Sequence, residues 1–240
     1  MSYTITLTRR ESIAANTMAF YFTKPQDFNY KAGQYADFTL LHPLETDAEG
    51  NKRTFSLASA PFETELMIAT RMRDTAFKRS LRDMPLGGEL TLEGSFGSFS
   101  LSGDPQKPAV ILTGGIGVTF ARSMIAQATK QQSPQKVFLF YSNHTPADAA
   151  FLDEFKNLAQ QNPHFVFVPT MTDDPEWTGE TGAISLDLLQ KYVGDVNLPT
   201  YYLAGPSALV GAMRKLLLEA NVNKVNIRAD QFVGYESLTV

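Results

Sequence analysis

At Asp104-Pro105-Gln106-Lys107-Pro108 the hydrophobic rhythm of the chain changes. Before it, short runs alternate apolar and polar residues. After it, unbroken apolar runs alternate with stretches of helical period. A strand with one solvated face reads as alternation, and a strand covered on both faces reads as a continuous apolar run. A 240-residue chain that carries both rhythms one after the other has two architectures in series, and the proline-bracketed segment is where they divide. The expected units are 1–103 and 104–240.

In the first unit Tyr3-Arg9, Thr17-Thr23, Tyr35-Leu41, Lys52-Ala58, Glu65-Met72 and Glu89-Gly94 read as strands. His42 to Asn51, with Pro43 and Gly50, reads as a loop. One helix interrupts, capped by Asp74 or Thr75, striped by Phe77, Leu81 and Met84, and stopped by Pro85. This predicts a closed antiparallel six-stranded β-barrel. In the second unit Ala109-Thr113, Val137-Tyr141, Phe165-Thr170, Tyr201-Ala204 and Val225-Ala229 are strands. Val118-Gln131, Asp148-Gln161, Ser185-Val193 and Ser207-Ala220 are amphipathic helices. Five strands with four crossover helices predict an α/β doubly wound five-stranded parallel sheet.

Composition excludes several chemistries. The net charge of −4 argues against nucleic acid or a polybasic membrane contact. There is no cysteine, which removes thiolate nucleophiles, iron–sulfur ligands and cysteine zinc sites. His42, His144 and His164 are scattered, so no metal site is expected. The first ten residues lack an apolar signal core, and the expectation is a cytoplasmic protein without membrane insertion.

Four stretches carry candidate chemistry. Lys52 to Pro61 alternates Arg53, Phe55 and Leu57 with Thr54, Ser56 and Ala58. Such a strand offers a cation for a phosphate, a ring for a flat ligand and a hydroxyl for a heteroatom; taken alone it reads first as an ordinary amphipathic strand. Arg71, Arg73, Thr75, Lys78 and Arg79 surround a helix start, where free backbone amides favour an anion. A solvated basic helix reads the same way. Thr113 to Thr119 holds Gly114, Gly115 and Gly117 between a strand and a helix, so the backbone can approach a pyrophosphate, although Phe120 stands where a third glycine of the usual fingerprint falls. Ala204-Gly205-Pro206-Ser207 is a second small-residue strand-to-helix passage, with Ser207 expected as the N-cap. Ligands of doubly wound sheets bind at such strand ends, near the switch in strand order.

In order and spacing these stretches resemble the ferredoxin–NADP reductase superfamily over nearly the whole chain. Arg53-Thr54-Phe55-Ser56-Leu57-Ala58-Ser59 is similar to its flavin motif. The resemblance implies Arg53 on the flavin phosphate, Phe55 against the ring system, Ser56 near flavin N5 and Thr54 beside them. It implies that Thr70, Arg71, Met72, Thr75, Ala76, Phe77 and Lys78 hold the flavin pyrophosphate, with FAD favoured over FMN. It places Thr113, Gly114, Gly115, Gly117, Val118, Thr119, Tyr141, Asn143, His144, Ala204, Gly205 and Pro206 around NADPH or NADH. The tail Asp230 to Tyr235 resembles an ending whose aromatics, here Phe232 and Tyr235, lie near the flavin. Two positions depart from the family pattern: Ala204 stands where many relatives carry cysteine, and His144 where many carry the arginine that grips a 2′-phosphate.

The implied activity is flavin-dependent NAD(P)H oxidation, with Ser56, Thr113, Phe232 and Tyr235 closest to the chemistry. With no cysteine cluster for an acceptor of its own, the chain is expected to pass electrons to a separate ferredoxin, flavodoxin or oxygenase iron–sulfur component. Arg71, Arg73, Lys78, Arg79 and Arg82 form the expected docking group for an acidic carrier. A flavin or quinone reductase with a diffusible acceptor and a nucleotide-binding relay subunit without turnover are the alternatives. Asp230 and Glu236 are candidate proton carriers.

Overall fold

The computed structural model describes residues 1–231. The first sheet contains β1 (Ser2–Ala14), β2 (Thr17–Thr23), β3 (Tyr35–Leu40), β4 (Lys52–Ser56), β5 (Glu65–Arg71) and β6 (Glu89–Phe96), with helix α1 (Ala76–Asp83) between the last two. All pairings are antiparallel, in the order β4-β3-β6-β1-β2-β5. No ladder joins the end strands β4 and β5. Instead the amides of Ala58 and Ser59, just past β4, both reach the carbonyl of Met67 in β5, at 2.7 and 3.3 Å, and bring the two ends of the sheet together.

The alternation in the sequence fills this sheet's interior. Ile5 and Leu7, Phe20 and Phe22, Leu66 and Ile68, and Leu90 and Leu92 are all fully buried. Phe77 and Leu81 of α1 close the same core. Each such side chain contributes on the order of 1.5–3 kcal/mol by leaving water. β1 runs on to Ala14, well beyond the expected Arg9, because Arg9 to Ser12 keep pairing with β2 while their side chains face solvent.

The second sheet has six strands, not five: β7 (Ala109–Gly114), β8 (Val137–Asn143), β9 (Phe165–Met171), β10 (Glu180–Thr181), β11 (Thr200–Gly205) and β12 (Ile227–Gln231). The addition is β10, two residues long and parallel to the end of β9, too short to leave a periodic signal. All six are parallel in the order β10-β9-β8-β7-β11-β12, so strand order reverses between β8-β7 and β11-β12. Helices α2 (Thr119–Lys130), α3 (Leu152–Gln161), α4 (Leu186–Val193) and α5 (Ser207–Glu219) cover it. β7 and β11 are buried at every residue, as unbroken apolar runs require.

The starts of α3 and α5 differ from expectation. α3 begins at Leu152 instead of Asp148, because Phe151 adopts a left-handed backbone (φ 61) that ends a short 3-10 turn at Pro146–Asp148. Ser207 is the first helical residue of α5, not its N-cap; Pro206 holds that position. Among the described residues no helix is long and apolar enough to cross a membrane.

Candidate functional site

Arg53 projects from β4 toward the start of α1, its guanidinium 5.3 Å above the Phe77 ring. It donates to Asp47 at 2.8 Å, to Glu49 at 3.1 Å and to the carbonyls of Glu49, Gly50 and Lys52. The Asp47 carboxylate also accepts the backbone amides of Glu49 and of Ala76, the first residue of α1. Burial pushes this carboxyl up, but Arg53 and the two amides outweigh it and hold it below the usual carboxylate range. A guanidinium and a helix-start amide thus already grip one anion, supplied by the chain itself. The same donors suit a phosphate oxygen, so these residues fit a flavin nucleotide.

The rest of this helix start follows the sequence. Thr75 is the N-cap, and its hydroxyl accepts the Lys78 amide at 3.4 Å. Lys78 is half-buried and its ammonium donates to the Arg71 carbonyl at 2.7 Å. Burial, with the nearby charges of Arg73 and Arg53, pulls its pKa down to about 8. Ala76, Phe77 and Thr70 are buried. Phe55 packs one side against the barrel core, with ring centroids 5.8 Å from both Phe38 and Phe77, and is half-buried. Ser56 stands opposite Tyr35 in the β3–β4 ladder, and Thr54 beside it is exposed. The expected docking group is reduced. Arg79 is engaged by Glu45 at 2.7 and 2.6 Å and by Asp74, and Arg82 by Asp83 at 2.8 Å. Cations neutralised by neighbouring carboxylates offer little to an acidic partner.

At the second site β7 ends in Gly114, and a 3-10 turn over Gly115–Val118 leads into α2. Here sequence had expected the helix to start directly at Val118. Gly117 has no space for a side chain: a Cβ there lies 2.7 Å from Gly205 Cα, 2.8 Å from the Ala204 carbonyl and 2.8 Å from Thr113 Oγ1. Gly115 takes a left-handed backbone (φ 52) with open space around it, and its carbonyl accepts the Tyr141 hydroxyl at 2.9 Å. Thr113 is fully buried and donates to the Ala204 carbonyl at 2.7 Å, joining β7 to β11 instead of facing the crevice. Val118 and Thr119 are buried beneath the loop. At the carboxyl end of β8, Asn143 is only 6% exposed, yet neither its amide oxygen nor its nitrogen has a hydrogen bond among the described residues. An unmatched buried amide is unusual and marks a position a ligand's polar group can satisfy. His144 is exposed, with Nδ1 3.2 Å from the Thr172 hydroxyl.

A cavity of about 740 Å³ joins the two sites. Arg71, Met72, Arg73, Asp74 and Thr75 line it from the first half; Gly114, Gly115, Ile116, Gly117, Gly205 and Pro206 line it from the second. Ala15, Asn16 and Asp148 complete its rim, positions that sequence reasoning missed. Asn16 is fixed there because its carbonyl accepts the Met72 amide at 2.6 Å. Arg53, Phe55, Ser56 and His144 do not line this cavity. Phe232, Tyr235 and Glu236 lie outside the described residues, and Asp230 pairs with Ala204 in the β11–β12 ladder.

Comparison with known proteins agrees with this geometry. Residues 111–215 match the family model of the oxidoreductase NAD-binding domain. The chain is 25% identical over 231 residues to an NAD(P)H-flavin reductase of Aliivibrio fischeri, covering 92% of this chain and 94% of that one. It is 29% identical over 221 residues to the reductase component of propane 2-monooxygenase of Rhodococcus jostii, covering 88% of this chain and 58% of that longer protein. Among solved structures, a ferredoxin NADP+ reductase of Neisseria gonorrhoeae with bound FAD and NADP superposes with a TM-score of 0.80 at 19% identity, over 96% of this chain and 97% of that one. An arginine-bearing strand, a capped helix start and a glycine loop fall in this order on an antiparallel sheet and a doubly wound sheet; residues 111–215 match the oxidoreductase NAD-binding domain, and the whole chain is similar in sequence to flavin and oxygenase reductases and in fold to a ferredoxin NADP+ reductase.

Proposed function

We propose that the protein is a flavin-dependent NAD(P)H oxidoreductase that passes electrons to a separate acceptor, with residues 1–103 serving the flavin and 104–240 the nicotinamide nucleotide. The observation that carries the reading is the shared cavity, where the α1 start and the glycine loop of the second sheet face one space. FAD, when bound, supplies the hydride-accepting chemistry. Arg53 and the α1 amides hold a phosphate in place of Asp47, Lys78 adds charge behind them, and Phe55 bounds the ring edge. Ser56, at the end of the same strand, would offer a hydroxyl to the flavin ring system. Gly115 and Gly117 let the nucleotide backbone lie against the α2 start, and Asn143 takes a polar group of the same ligand. No side chain is needed as nucleophile or base, so the protein contributes position and exclusion of water. A cytoplasmic setting is part of this reading.

Two acceptors fit: a ferredoxin-like carrier, and a small diffusible flavin or quinone. The internal neutralisation of Arg79 and Arg82 favours the second, since it removes cations from the expected docking face. An anaerobic titration with NADH and with NADPH, following the flavin absorption band, tests the core of the proposal. Bleaching by either coenzyme supports it, and binding without bleaching leaves the nucleotide-binding relay. Steady-state assays with ferredoxin, free FMN and quinone then separate the acceptors.

A further inference from the structure

The two halves meet along a seam that reaches the end of the Arg53–Ser59 stretch. At its centre is Arg122 of α2, 8% exposed. Its guanidinium makes a forked contact with Glu63, one arm at 2.9 Å, in the loop between β4 and β5. It also reaches Glu154 of α3 at 2.7 Å and the carbonyl of Ala58 at 3.0 Å. Next to it, the buried Ser123 hydroxyl donates to the Ser59 carbonyl at 2.7 Å, which also accepts the Tyr30 hydroxyl at 3.0 Å. Phe151, in its left-handed backbone, lies under the guanidinium at 5.9 Å.

The placement of these contacts gives them their meaning. Ala58 and Ser59 directly follow the strand that carries Arg53, Phe55 and Ser56. Arg122 lies within the first turn of α2, immediately after the glycine loop. One side chain therefore ties the end of the flavin strand to the start of the nucleotide helix. We propose that Arg122 is a positioning residue that sets the distance between the nicotinamide crevice and the flavin strand; the proposal rests on the function given above. Lysine has no fork with which to hold Glu63, Glu154 and Ala58 together. Without the guanidinium, Glu63 and Glu154 are left as two like charges facing each other across the seam, which drives the halves apart.

The test uses the flavin-loaded protein and the variants Arg122→Met, Arg122→Lys and Glu63→Gln. In stopped flow under anaerobic conditions, Arg122→Met is expected to lower the rate constant of flavin reduction at least about 10-fold, because small misplacements of reacting groups are costly. Coenzyme affinity should stay near the wild-type value, the long-wavelength charge-transfer band of the coenzyme–flavin complex should weaken, and Arg122→Lys should recover part of both. Because the chain has no cysteine, spin labels on Leu86→Cys and Leu198→Cys, exposed in the two halves, report the inter-sheet distance without turnover. The distance distribution should broaden in Arg122→Met and less in Arg122→Lys. Unchanged rates and distances overturn the proposal. So does a parallel loss of rate, coenzyme affinity and flavin that lysine does not rescue, since that pattern is a general structural defect. If Arg122→Met does not fold, Glu63→Gln carries the same readouts. Wild-type protein whose flavin neither coenzyme bleaches brings down the functional reading itself, whereas normal wild-type bleaching with unaffected variants brings down the positioning role alone.

Discussion

The two helix starts proposed to hold ligand phosphates are built on opposite principles. At the start of α1 the work is done by charge: Arg71, Arg73 and Lys78 lie around the helix start, and Arg53 with the amides of Glu49 and Ala76 holds the chain's own Asp47. At the start of α2 it is done by shape: three glycines bring backbone within reach, and the first turn of the helix carries no acidic residue and no capping side chain. The one cation in that turn, Arg122, is committed to Glu63 and Glu154. A charge-built site holds its ligand firmly and responds to pH and salt; a shape-built site orients a ligand closely and lets it leave. The proposed function, a resident cofactor on one side and a passing cosubstrate on the other, calls for that division of labour.

The comparison breaks most visibly at Gly117. A Gly117→Val side chain collides with backbone of Gly205 and Ala204, so the two loops must separate. Reduction of bound flavin by coenzyme should fall about 100-fold, while the absorption spectrum of the purified protein still shows flavin. Co-loss of flavin and reduction would show that the sites are not separable. Next in size is Arg53→Ala. It should weaken flavin retention by about 1.5–3 kcal/mol, the range for a hydrogen bond to a charged group, measured by equilibrium dialysis, with the coenzyme's affinity untouched. Asp47→Asn acts in the opposite sense. It removes the internal competitor for Arg53 and should tighten flavin binding by at most about 5-fold, given the modest value of exposed ion pairs.

The smallest effect is a pH dependence. Lys78 is charged below about 8 and loses its proton above that value. A charged Lys78 favours a bound phosphate, so flavin retention should decline as pH rises through 8, and Lys78→Met should flatten that profile. Before flavin binds the sign for stability is reversed: a lysine whose pKa is lowered on folding costs stability at low pH, and that cost fades between about 8 and the unfolded value. Denaturant midpoints of flavin-free protein measured across that window should rise with pH.

How much of this was legible in the sequence follows from the range over which each feature acts. Thr17–Thr23 and the Thr75 cap were readable because alternation and capping are local. The glycine loop was readable because residue type alone limits what the backbone there can do. The continuation of β1 through Arg9 and Glu11 was not, since polar residues on a solvated strand look like a loop. Nor was β10, whose two residues carry no period. Asp47 lies in a polar loop, and only folding brings it to Ala76. Arg122 finds its partners about sixty residues away in both the carbonyl of Ala58 and the carboxylate of Glu63; on its own helix it is one more polar residue. The proposed roles of Thr113 and Tyr141 illustrate a subtler limit. Both sit at the right strand ends, but their hydroxyls bond to Ala204 and Gly115 and shape the loops from beneath.

The strand order of the second sheet also sets a timetable. β7 is its central strand, buried at all six residues, with β8 on one side and β11 on the other. As the chain leaves the ribosome, β8 follows soon after β7, but β11 does not emerge until Thr200. Throughout that interval one edge of this fully buried strand has no partner. Sheets assembled from distant segments fold slowly and expose pairing edges while they do. The architecture that sets β7 between an early and a late neighbour therefore leaves that edge unpaired until Thr200 and the residues after it have been made.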